Sequence, residues 1–231
     1  MCVDAVLFDI DTQHDFCHPA GSMFVSGAGA PSFHSNLAAL VAWARASGHP
    51  HVAAADMHVP DEPDFSPAPD MVRTYPSHCV AGSVGAERIE ATRQREPVVF
   101  PLGLDNVVPG PMAAEFLLHK READVFSNPA TSRLLDHLDP RLVVVAGVAT
   151  DYCVAAAVEG LLREHPRARV VVAADASAGV FEHQVAARHV RWRSQGVALM
   201  STAAILAAGA GLAEGGPAEQ EVQQASLVAA P

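Results

Sequence analysis

The sequence has few cysteines, few basic residues and no long hydrophobic run. Its four cysteines, Cys2, Cys17, Cys79 and Cys153, are scattered over 231 residues without a C-x-x-C pair. This spacing argues against a disulfide scaffold and predicts a reducing, cytoplasmic location. No apolar run is long enough to cross a bilayer, and the N-terminal segment lacks the basic residues of a signal peptide, so we predict neither an anchor nor a leader.

Acidic residues outnumber basic ones by 26 to 15, which gives a net charge of -11. Because nucleic acids and anionic membranes attract positive surfaces, this excess argues against both as the main partner. Half of the residues are hydrophobic, which is enough for a large core. The length suits one α/β domain, or at most two small ones.

Apolar runs rich in valine, alanine and leucine alternate with helical patterns along the chain. The six predicted strands are residues 5–8, 51–55, 115–119, 142–146, 169–173 and 197–200, and residues 97–100 are a weaker candidate. The continuous apolar runs are typical of parallel strands that are covered on both faces. The pattern therefore predicts an α/β fold with three αβα layers around a six-stranded, mostly parallel, doubly wound sheet.

Helical periodicity lies between these strands. One amphipathic stripe runs from Val154 to Leu162 and ends before Pro166, and another ends at Gly48. Further helices are predicted at residues 130–137, 181–194 and 202–208. The domain is predicted to span residues 1–208, because residues 209–231 have little periodicity and are typical of a disordered tail. The proline-rich and glycine-rich stretch at residues 66–106 predicts functional loops.

Reactive side chains follow four of the predicted strands at the point where each strand ends. Asp11 follows the first strand, Asp56 the second, Lys120 the third and Cys153 the fourth. Each residue alone has an ordinary explanation as a cap, a surface charge or a core side chain. Ligands of parallel sheets bind beyond the carboxyl ends of the strands, so the joint placement predicts one site.

Cys153 is predicted to lie in the first turn of its helix. There the backbone N–H groups and the helix dipole favour an anion, which lowers the pKa of a thiol. We expect Lys120 to lower this pKa further and Asp11 to accept the thiol proton. This chemistry is that of a cysteine amidohydrolase, in which a thiolate attacks a carbonyl, ammonia leaves and water hydrolyses the thioester.

Four segments resemble, in the same order, the nicotinamidases of the isochorismatase-like cysteine hydrolase superfamily. The segment "GVATDYCV" at residues 147–154 resembles the nucleophile turn, and "DTQHDF" at 11–16 resembles the D-x-Q-x-D-F start. The segment "DMH" at 56–58 with "YPSHCVAGSVGAE" at 75–87 resembles the D-x-H and W-P-x-H-C-V segments. The segment "HKREADVFSNP" at 119–129 resembles the lysine segment. Several motifs in one order are far more specific than any single motif.

The resemblance implies a catalytic triad and an oxyanion hole. The triad consists of Asp11, Lys120 and Cys153, and the hole consists of the backbone N–H groups of Ala149 and Cys153. A cis peptide between Val148 and Ala149 is also implied. The implied enzyme hydrolyses C–N bonds of linear amides, with nicotinamide to nicotinate as the leading reaction. Other small amides, ureides and carbamoyl compounds stay open as alternatives.

The resemblance also implies an aromatic substrate pocket. Phe16 and Tyr75 match positions that sandwich a flat ring, and we expect Tyr152 to line the same pocket. Tyr75 departs from the usual tryptophan and offers a smaller aromatic face. Ordinary core packing is the alternative role for Phe16.

A divalent metal site is implied near the cysteine. Asp56, His58 and His78 match three of its ligands, and Asp64 stands where most members have a third histidine. Because a carboxylate also coordinates metals, we expect all four residues to be ligands. Zinc is the expected metal, and iron and manganese are the alternatives. The alternative is that these residues are strand-end caps and a buried histidine.

The sequence leaves three rival functions open. The segment "VLFDIDTQ" at residues 6–13 resembles the start of haloacid-dehalogenase-like phosphatases, with Asp9 as nucleophile and Asp11 as acid–base. A vinyl-ether hydrolase of the isochorismatase type would lack Cys153. The third rival is a catalytically silent binding module. The expected partner is a small-molecule amide, and because members of the superfamily often assemble, we also expect a homo-oligomer.

Overall fold

Seven parallel strands form one sheet in the computed structural model, which describes residues 2–103 and 114–214. The strands are β1 (Ala5–Ile10), β2 (His51–Asp56), β3 (Val98–Phe100), β4 (Glu115–Lys120), β5 (Leu142–Val148), β6 (Arg169–Ala178) and β7 (Ala198–Met200). Their order across the sheet is β3-β4-β2-β1-β5-β6-β7, and all neighbours are parallel. The predicted α/β class is confirmed.

Helices cover both faces of the sheet. They are α1 (His14–Cys17), α2 (Pro31–Ser47), α3 (Ala130–Leu138), α4 (Cys153–Glu164), α5 (Glu182–Ser194) and α6 (Thr202–Ala208). The apolar side chains of α2 and α6 pack on one face, and those of α3, α4 and α5 pack on the other. This arrangement is the predicted three-layer structure. No helix among the described residues is long and apolar enough to span a bilayer.

The strand count differs from the prediction of six. The weaker candidate at residues 97–100 forms β3, a three-residue edge strand that pairs only with β4. Such a short strand buries little side-chain surface, so its sequence carries only a weak apolar pattern. The sheet is also entirely parallel among the described residues, where the sequence predicted a mostly parallel one.

The central strands β1, β2 and β5 are buried along their whole length. This explains why their sequences are mostly apolar instead of alternating between apolar and polar residues. One glycine in β5 has a clear steric role. A Cβ atom at Gly147 would come within 2.0 Å of the Ile10 carbonyl oxygen, so the close pairing of β5 with β1 excludes any side chain there.

The folded region continues beyond the predicted boundary at residue 208. The segment Gly209–Glu214 forms a 3₁₀ helix. Leu212 is buried in the core, and its carbonyl oxygen accepts a hydrogen bond from Arg169 Nη1 at 3.2 Å. The rest of the predicted tail, residues 215–231, and residues 104–106 of the predicted functional loops lie outside the described residues.

The chain changes direction across the sheet between β1 and β5. On one side of β1 lie β2, β4 and β3, and on the other side lie β5, β6 and β7. Connections that diverge from neighbouring strands leave a crevice at the carboxyl ends of those strands. The fold therefore places a crevice directly beside Asp11 and Cys153.

A buried charge cluster lies under this crevice, centred on Asp9 of β1. Arg88 and His51 contact the Oδ2 atom of Asp9, and the Thr12 hydroxyl donates to Oδ1 at 2.8 Å. Burial alone would raise the pKa of Asp9, but Arg88 and His51 outweigh burial and lower it. The cluster attaches the loop that carries Arg88 to the centre of the sheet.

We predict that Asp9→Asn lowers the free energy of unfolding by about 3 kcal/mol, because Arg88 is left buried without a counter-charge. Denaturant titration measures this change. The matched control is Asp4→Asn, which removes an exposed carboxylate paired with Arg141 and should change stability by less than about 0.5 kcal/mol. Equal effects of the two substitutions would contradict the structural role of the Asp9 cluster.

Candidate active site

Asp11, Lys120 and Cys153 meet at the carboxyl ends of β1, β4 and β5. Lys120 Nζ lies 2.8 Å from Asp11 Oδ2 and 3.6 Å from Cys153 Sγ. Lys120 and Asp11 are almost fully buried, with 0% and 1% of their surface exposed. The structure thus brings together the three residues that the sequence predicted as a triad.

The backbone at Asp11 has an unusual conformation. Its φ angle is 50°, in the left-handed region that residues other than glycine rarely occupy. Aspartate tolerates this region better than most residues, and such conformations occur often at functional sites. The turn places the carboxylate of Asp11 beside Lys120 instead of continuing the strand.

Asp56 joins the triad to a cluster of histidines. Its Oδ1 atom lies 2.5 Å from Lys120 Nζ. Its Oδ2 atom faces the Nε2 atoms of His58 and His78, at 3.8 Å and 4.0 Å. One carboxylate therefore contacts both the buried ammonium group and the candidate metal ligands.

The protonation states around Lys120 follow from burial and charge. Burial opposes the charge of Lys120, but Asp11 and Asp56 outweigh it and raise the lysine pKa well above its ordinary value. Burial is the main cause that raises the pKa of Asp11 to about 6, against the lowering effect of Lys120. For Asp56, burial is outweighed by Lys120 and His58, and the pKa is lowered to about 2. Near neutral pH, both carboxylates are charged.

The pKa of Cys153 differs in direction from the prediction. Burial raises it well above the ordinary value, and Asp11 and Asp56 raise it further, although Lys120 acts in the opposite sense. The sequence predicted a lowered pKa because it placed the thiol near a lysine and a helix start, but it could not show how deeply the thiol and the neighbouring carboxylates are buried. The resting cysteine is therefore a thiol, and its proton must move before or during attack.

Two backbone amides at the cavity wall are candidates for an oxyanion hole. Ala149 and Cys153 both line the cavity, and among the described residues neither amide donates to a backbone carbonyl. The neighbouring amides of Thr150, Tyr152 and Val154 are used in backbone hydrogen bonds. N–H groups held at a cavity wall without a protein partner are what an oxyanion hole requires. The peptide bond between Val148 and Ala149 is cis, as predicted.

A cavity of about 520 Å³ opens beside the thiol. Its wall includes the three aromatic residues that the sequence predicted to contact substrate, Phe16, Tyr75 and Tyr152. The rings of Phe16 and Tyr75 lie 5.7 Å and 6.4 Å from the His78 ring. Phe16 is mostly buried while Tyr152 is 41% exposed, so the aromatic wall extends from the interior to the mouth of the cavity.

Asp56, His58 and His78 form a donor set that fits a divalent metal ion. One potential ligand atom from each of them lies within 4.8 Å of the others, and all three side chains are buried. The Nδ1 atom of His78 lies 2.8 Å from the Pro76 carbonyl oxygen, and an Nδ1–H donated there leaves Nε2 free to coordinate. Burial lowers the pKa of His78, which favours the neutral form that binds metals.

The fourth predicted ligand, Asp64, lies farther from this cluster. It lines the same cavity, but its carboxylate is not among the three groups that converge within 4.8 Å. Its backbone carbonyl accepts a hydrogen bond from the Tyr75 amide at 2.8 Å, which holds the two loops together. Coordination by Asp64 stays a prediction.

Sequence reasoning assigned no role to Gln13 or Glu62. The Gln13 side chain exchanges two hydrogen bonds with the Asp56 backbone, each 2.8 Å long, and so holds the Asp56 backbone in place. Glu62 lies 3.4 Å from His58 Nδ1. Gln13 stands in the D-x-Q motif, which was a usable signal, whereas Glu62 stands in a polar loop with no signal. Lys120 had a further signal, since it is the only lysine in this acidic sequence.

A supporting contact involves Asp15 of the same motif. Its Oδ2 accepts the Cys79 amide at 2.7 Å, and its Oδ1 accepts the Ser22 amide at 3.1 Å. A Cβ atom at Gly85 would overlap the Asp15 carboxylate, at 2.0 Å from Oδ2. Asp15 therefore holds the segment that carries His78, the residue before Cys79, against α1.

The sequence matches known proteins over most of its length. A family model described as "Isochorismatase domain" matches residues 104–204. The nicotinamidase/pyrazinamidase of Mycobacterium tuberculosis is 30% identical over 199 residues, which are 84% of this chain and 97% of that protein. The chain belongs to the isochorismatase family, and it is a hydrolase. The predicted family resemblance is confirmed.

Solved structures share the same fold. The pyrazinamidase of Pyrococcus horikoshii, in complex with zinc, has a TM-score of 0.66 and 21% identity and covers 86% of this chain and 99% of its own. The PnC1 protein of L. infantum, in complex with nicotinate, has a TM-score of 0.67 and 23% identity and covers 88% and 98%. These similarities establish the fold of the chain.

The rival interpretation as a haloacid-dehalogenase-like phosphatase is wrong. The family is a different one, and the candidate nucleophile Asp9 is 0% exposed, with its oxygens occupied by Thr12, His51 and Arg88. An aspartate must reach a phosphate to attack it, and Asp9 is not part of the cavity wall. Only Asp11 of that pair reaches the cavity.

We predict that the protein binds one divalent metal ion through Asp56, His58 and His78. Elemental analysis of protein purified without a histidine tag measures the stoichiometry. His78→Ala should abolish stoichiometric binding, because it removes one of only three converging groups. Asp64→Asn tests the fourth ligand in the same assay. Wild-type protein that holds no ion after incubation with zinc, iron or manganese would contradict the site.

Proposed function

We propose that the protein is a cysteine amidohydrolase that cleaves a small carboxamide through a thioester acyl-enzyme. The observation that carries this proposal is the position of Lys120, whose ammonium group lies between the Asp11 carboxylate and the Cys153 sulfur at the cavity. A carboxylate and a cation next to a thiol are the parts that an activated cysteine nucleophile requires. The family membership supports the same chemistry.

The first half of the reaction forms the thioester. Asp11 takes the proton of the Cys153 thiol while Sγ forms a bond to the amide carbon, and the carbonyl π electrons move to oxygen. The amides of Ala149 and Cys153 donate to this oxyanion. Collapse of the intermediate breaks the C–N bond, and protonated Asp11 returns the proton to the departing nitrogen, so that ammonia leaves.

The second half regenerates the enzyme. Asp11, again a carboxylate, removes a proton from water as the water oxygen attacks the thioester carbon. The C–S bond breaks, the proton passes from Asp11 to Sγ, and the carboxylic acid product is released. Lys120 stays protonated throughout, because its pKa lies well above neutral, and it stabilises the negative charge on Sγ and on Asp11.

The metal site belongs to the same proposal, with zinc as the first choice. Asp56, His58 and His78 would hold the ion, with Asp64 as the proposed fourth ligand. A divalent ion there would supply a Lewis acid that binds an electron-rich atom of the substrate away from the scissile bond. The zinc in the solved P. horikoshii structure supports the choice of metal.

Nicotinamide is the leading substrate, with nicotinate as its product. Phe16, Tyr75 and Tyr152 offer aromatic faces for a flat ring, and stacking of such rings is favourable. A cavity of about 520 Å³ is large enough for a pyridine carboxamide. The curated nicotinamidase/pyrazinamidase at 30% identity and the nicotinate bound to the L. infantum protein support this choice.

A second candidate is an amide or carbamoyl compound that carries a carboxylate. Arg121 lines the same cavity and is 45% exposed, so a substrate anion can reach its guanidinium group beside the ion pair that Nε makes with Glu62. A guanidinium group binds a carboxylate through two parallel hydrogen bonds, which an uncharged ring without a carboxylate cannot accept. Activity on an N-carbamoyl acid that falls in Arg121→Gln would favour this candidate over nicotinamide.

We further propose a cytoplasmic location and a homo-oligomeric assembly. Four free cysteines are in keeping with a reducing compartment. Val180, Phe181 and Tyr152 leave apolar surface exposed around the mouth of the cavity, which is typical of a contact surface. Size-exclusion chromatography with light scattering measures the assembly.

Ammonia release from a panel of small amides tests the proposed activity. We expect turnover of at least one amide, with nicotinamide first, and a fall of about 10⁴-fold or more in Cys153→Ala, because the covalent route needs sulfur. The melting temperature of Cys153→Ala checks that the variant is folded. Activity that persists in the folded variant would overturn the mechanism.

The pH profile tests the role of Asp11. Because its pKa is raised to about 6 and only its carboxylate accepts the thiol proton, kcat/KM should rise with pH through an apparent pKa of about 6. Asp11→Asn should lower the rate by about 10²-fold or more and remove this acidic limb. A wild-type profile that is flat between about pH 5 and 8 would show that Asp11 is not the base.

A further inference from the structure

We propose that Glu62 is a positioning residue for the metal site, and that it orients His58 for coordination. This inference rests on the metal site of the proposed function and goes beyond it, because the proposed ligands do not include Glu62. The juxtaposition that carries it is a carboxylate beside the Nδ1 atom of a buried histidine whose Nε2 faces Asp56.

Three nitrogen atoms lie around one carboxylate oxygen of Glu62. Glu62 Oε1 accepts the Val59 amide at 3.1 Å, and it lies 3.3 Å from Arg121 Nε and 3.4 Å from His58 Nδ1. The side chain of Glu62 is only 11% exposed. The Val59 and Arg121 contacts therefore hold the carboxylate in place against the imidazole.

His58 has no other acceptor for a proton on Nδ1. The side chain is 4% exposed, and among the described residues no group makes a fully formed hydrogen bond to this nitrogen. A buried N–H without a partner is costly, so Glu62 is the group that stabilises a proton there. With the proton on Nδ1, the lone pair lies on Nε2, which is 3.8 Å from Asp56 Oδ2 and faces the cluster.

His58 and His78 thus share one arrangement, in which an oxygen atom lies beside Nδ1, but the oxygen comes from different groups. The Nδ1 of His78 faces the Pro76 carbonyl at 2.8 Å, and the Nδ1 of His58 faces the Glu62 carboxylate. Outer carboxylates and carbonyls of this kind fix the tautomer and the ring orientation of a metal-binding histidine. A carboxylate also raises the basicity of the imidazole more than a carbonyl does, so Glu62 strengthens coordination by His58.

Arg121 links the Glu62–His58 contact to the rest of the site. It follows Lys120 in the chain, and its Nε also lies 3.3 Å from the Met57 carbonyl oxygen. Glu62 therefore joins the loop after β2 to the end of β4. Arg121 positions the Glu62 carboxylate, and the carboxylate in turn orients His58 for metal binding.

The first experiment measures zinc affinity by competition with a chromophoric chelator at constant pH. Loss of an outer carboxylate typically weakens metal binding by about 10- to 100-fold. We expect about 10-fold for Glu62→Gln, which keeps a neutral acceptor, and nearer 100-fold for Glu62→Ala. Asp61→Asn is the matched control, because it removes an exposed carboxylate from the adjacent position, and its affinity should equal that of wild type.

The second experiment reads the tautomer directly and without metal. The ¹⁵N chemical shifts of His58, assigned with a His58→Gln variant and recorded at a pH where the ring is neutral, should show the proton on Nδ1 in wild type and a mixture of tautomers in Glu62→Ala. Asp61→Asn should keep the wild-type tautomer, because it leaves the Glu62 carboxylate and its contacts beside Nδ1. A purely structural role of Glu62 would not move these shifts.

The outcomes separate the inference from the proposed function. Unchanged zinc affinity in both Glu62 variants, or an equal loss in Asp61→Asn, would overturn the role of Glu62. An unchanged His58 tautomer in Glu62→Ala would overturn it as well. Wild-type protein that binds no zinc would overturn the metal site and the affinity claim together, while the tautomer would still decide whether Glu62 orients His58.

Discussion

The site depends on one buried ammonium group that is shared by two carboxylates. Lys120 is fully buried, and burying a charge is costly unless opposite charges and hydrogen bonds compensate it. Asp11 and Asp56 provide that compensation from the ends of two neighbouring strands. The sheet fixes the spacing of its strands. The charges of Lys120, Asp11 and Asp56 are therefore held close together in the buried site.

The same arrangement separates two kinds of carboxylate. Asp56 is held charged at low pKa, because both its oxygens face positive or hydrogen-bonding groups, whereas Asp11 keeps a pKa of about 6. The first suits a permanent ligand and the second suits a group that takes and returns protons. Asp56 contacts the lysine and faces the histidines, so the candidate metal site and the thiol share one electrostatic environment.

Much of the fold was predictable because buried parallel strands have a strong sequence signal. The continuous apolar runs located β1, β2 and β5, and each proved longer at its C-terminal end, where polar residues such as Asp56 still belong to the strand. The edge strand β3 was only a weak candidate, since three residues with one partner bury little surface. The 3₁₀ helix that buries Leu212 was missed because alanine and glycine carry no periodicity.

The sequence by itself determined the sheet, the order of the reactive residues and the family, because strand burial and motif spacing are written in local patterns. Only the tertiary structure decided the protonation of the thiol and the contacts of the Nδ1 atoms of His58 and His78. The pKa of Cys153 depends first on its burial and then on charged residues that are distant in sequence, and the contact of Glu62 with His58 depends on a loop conformation. Electrostatic energy depends on separation in space and on burial, and neither quantity exists until the chain is folded.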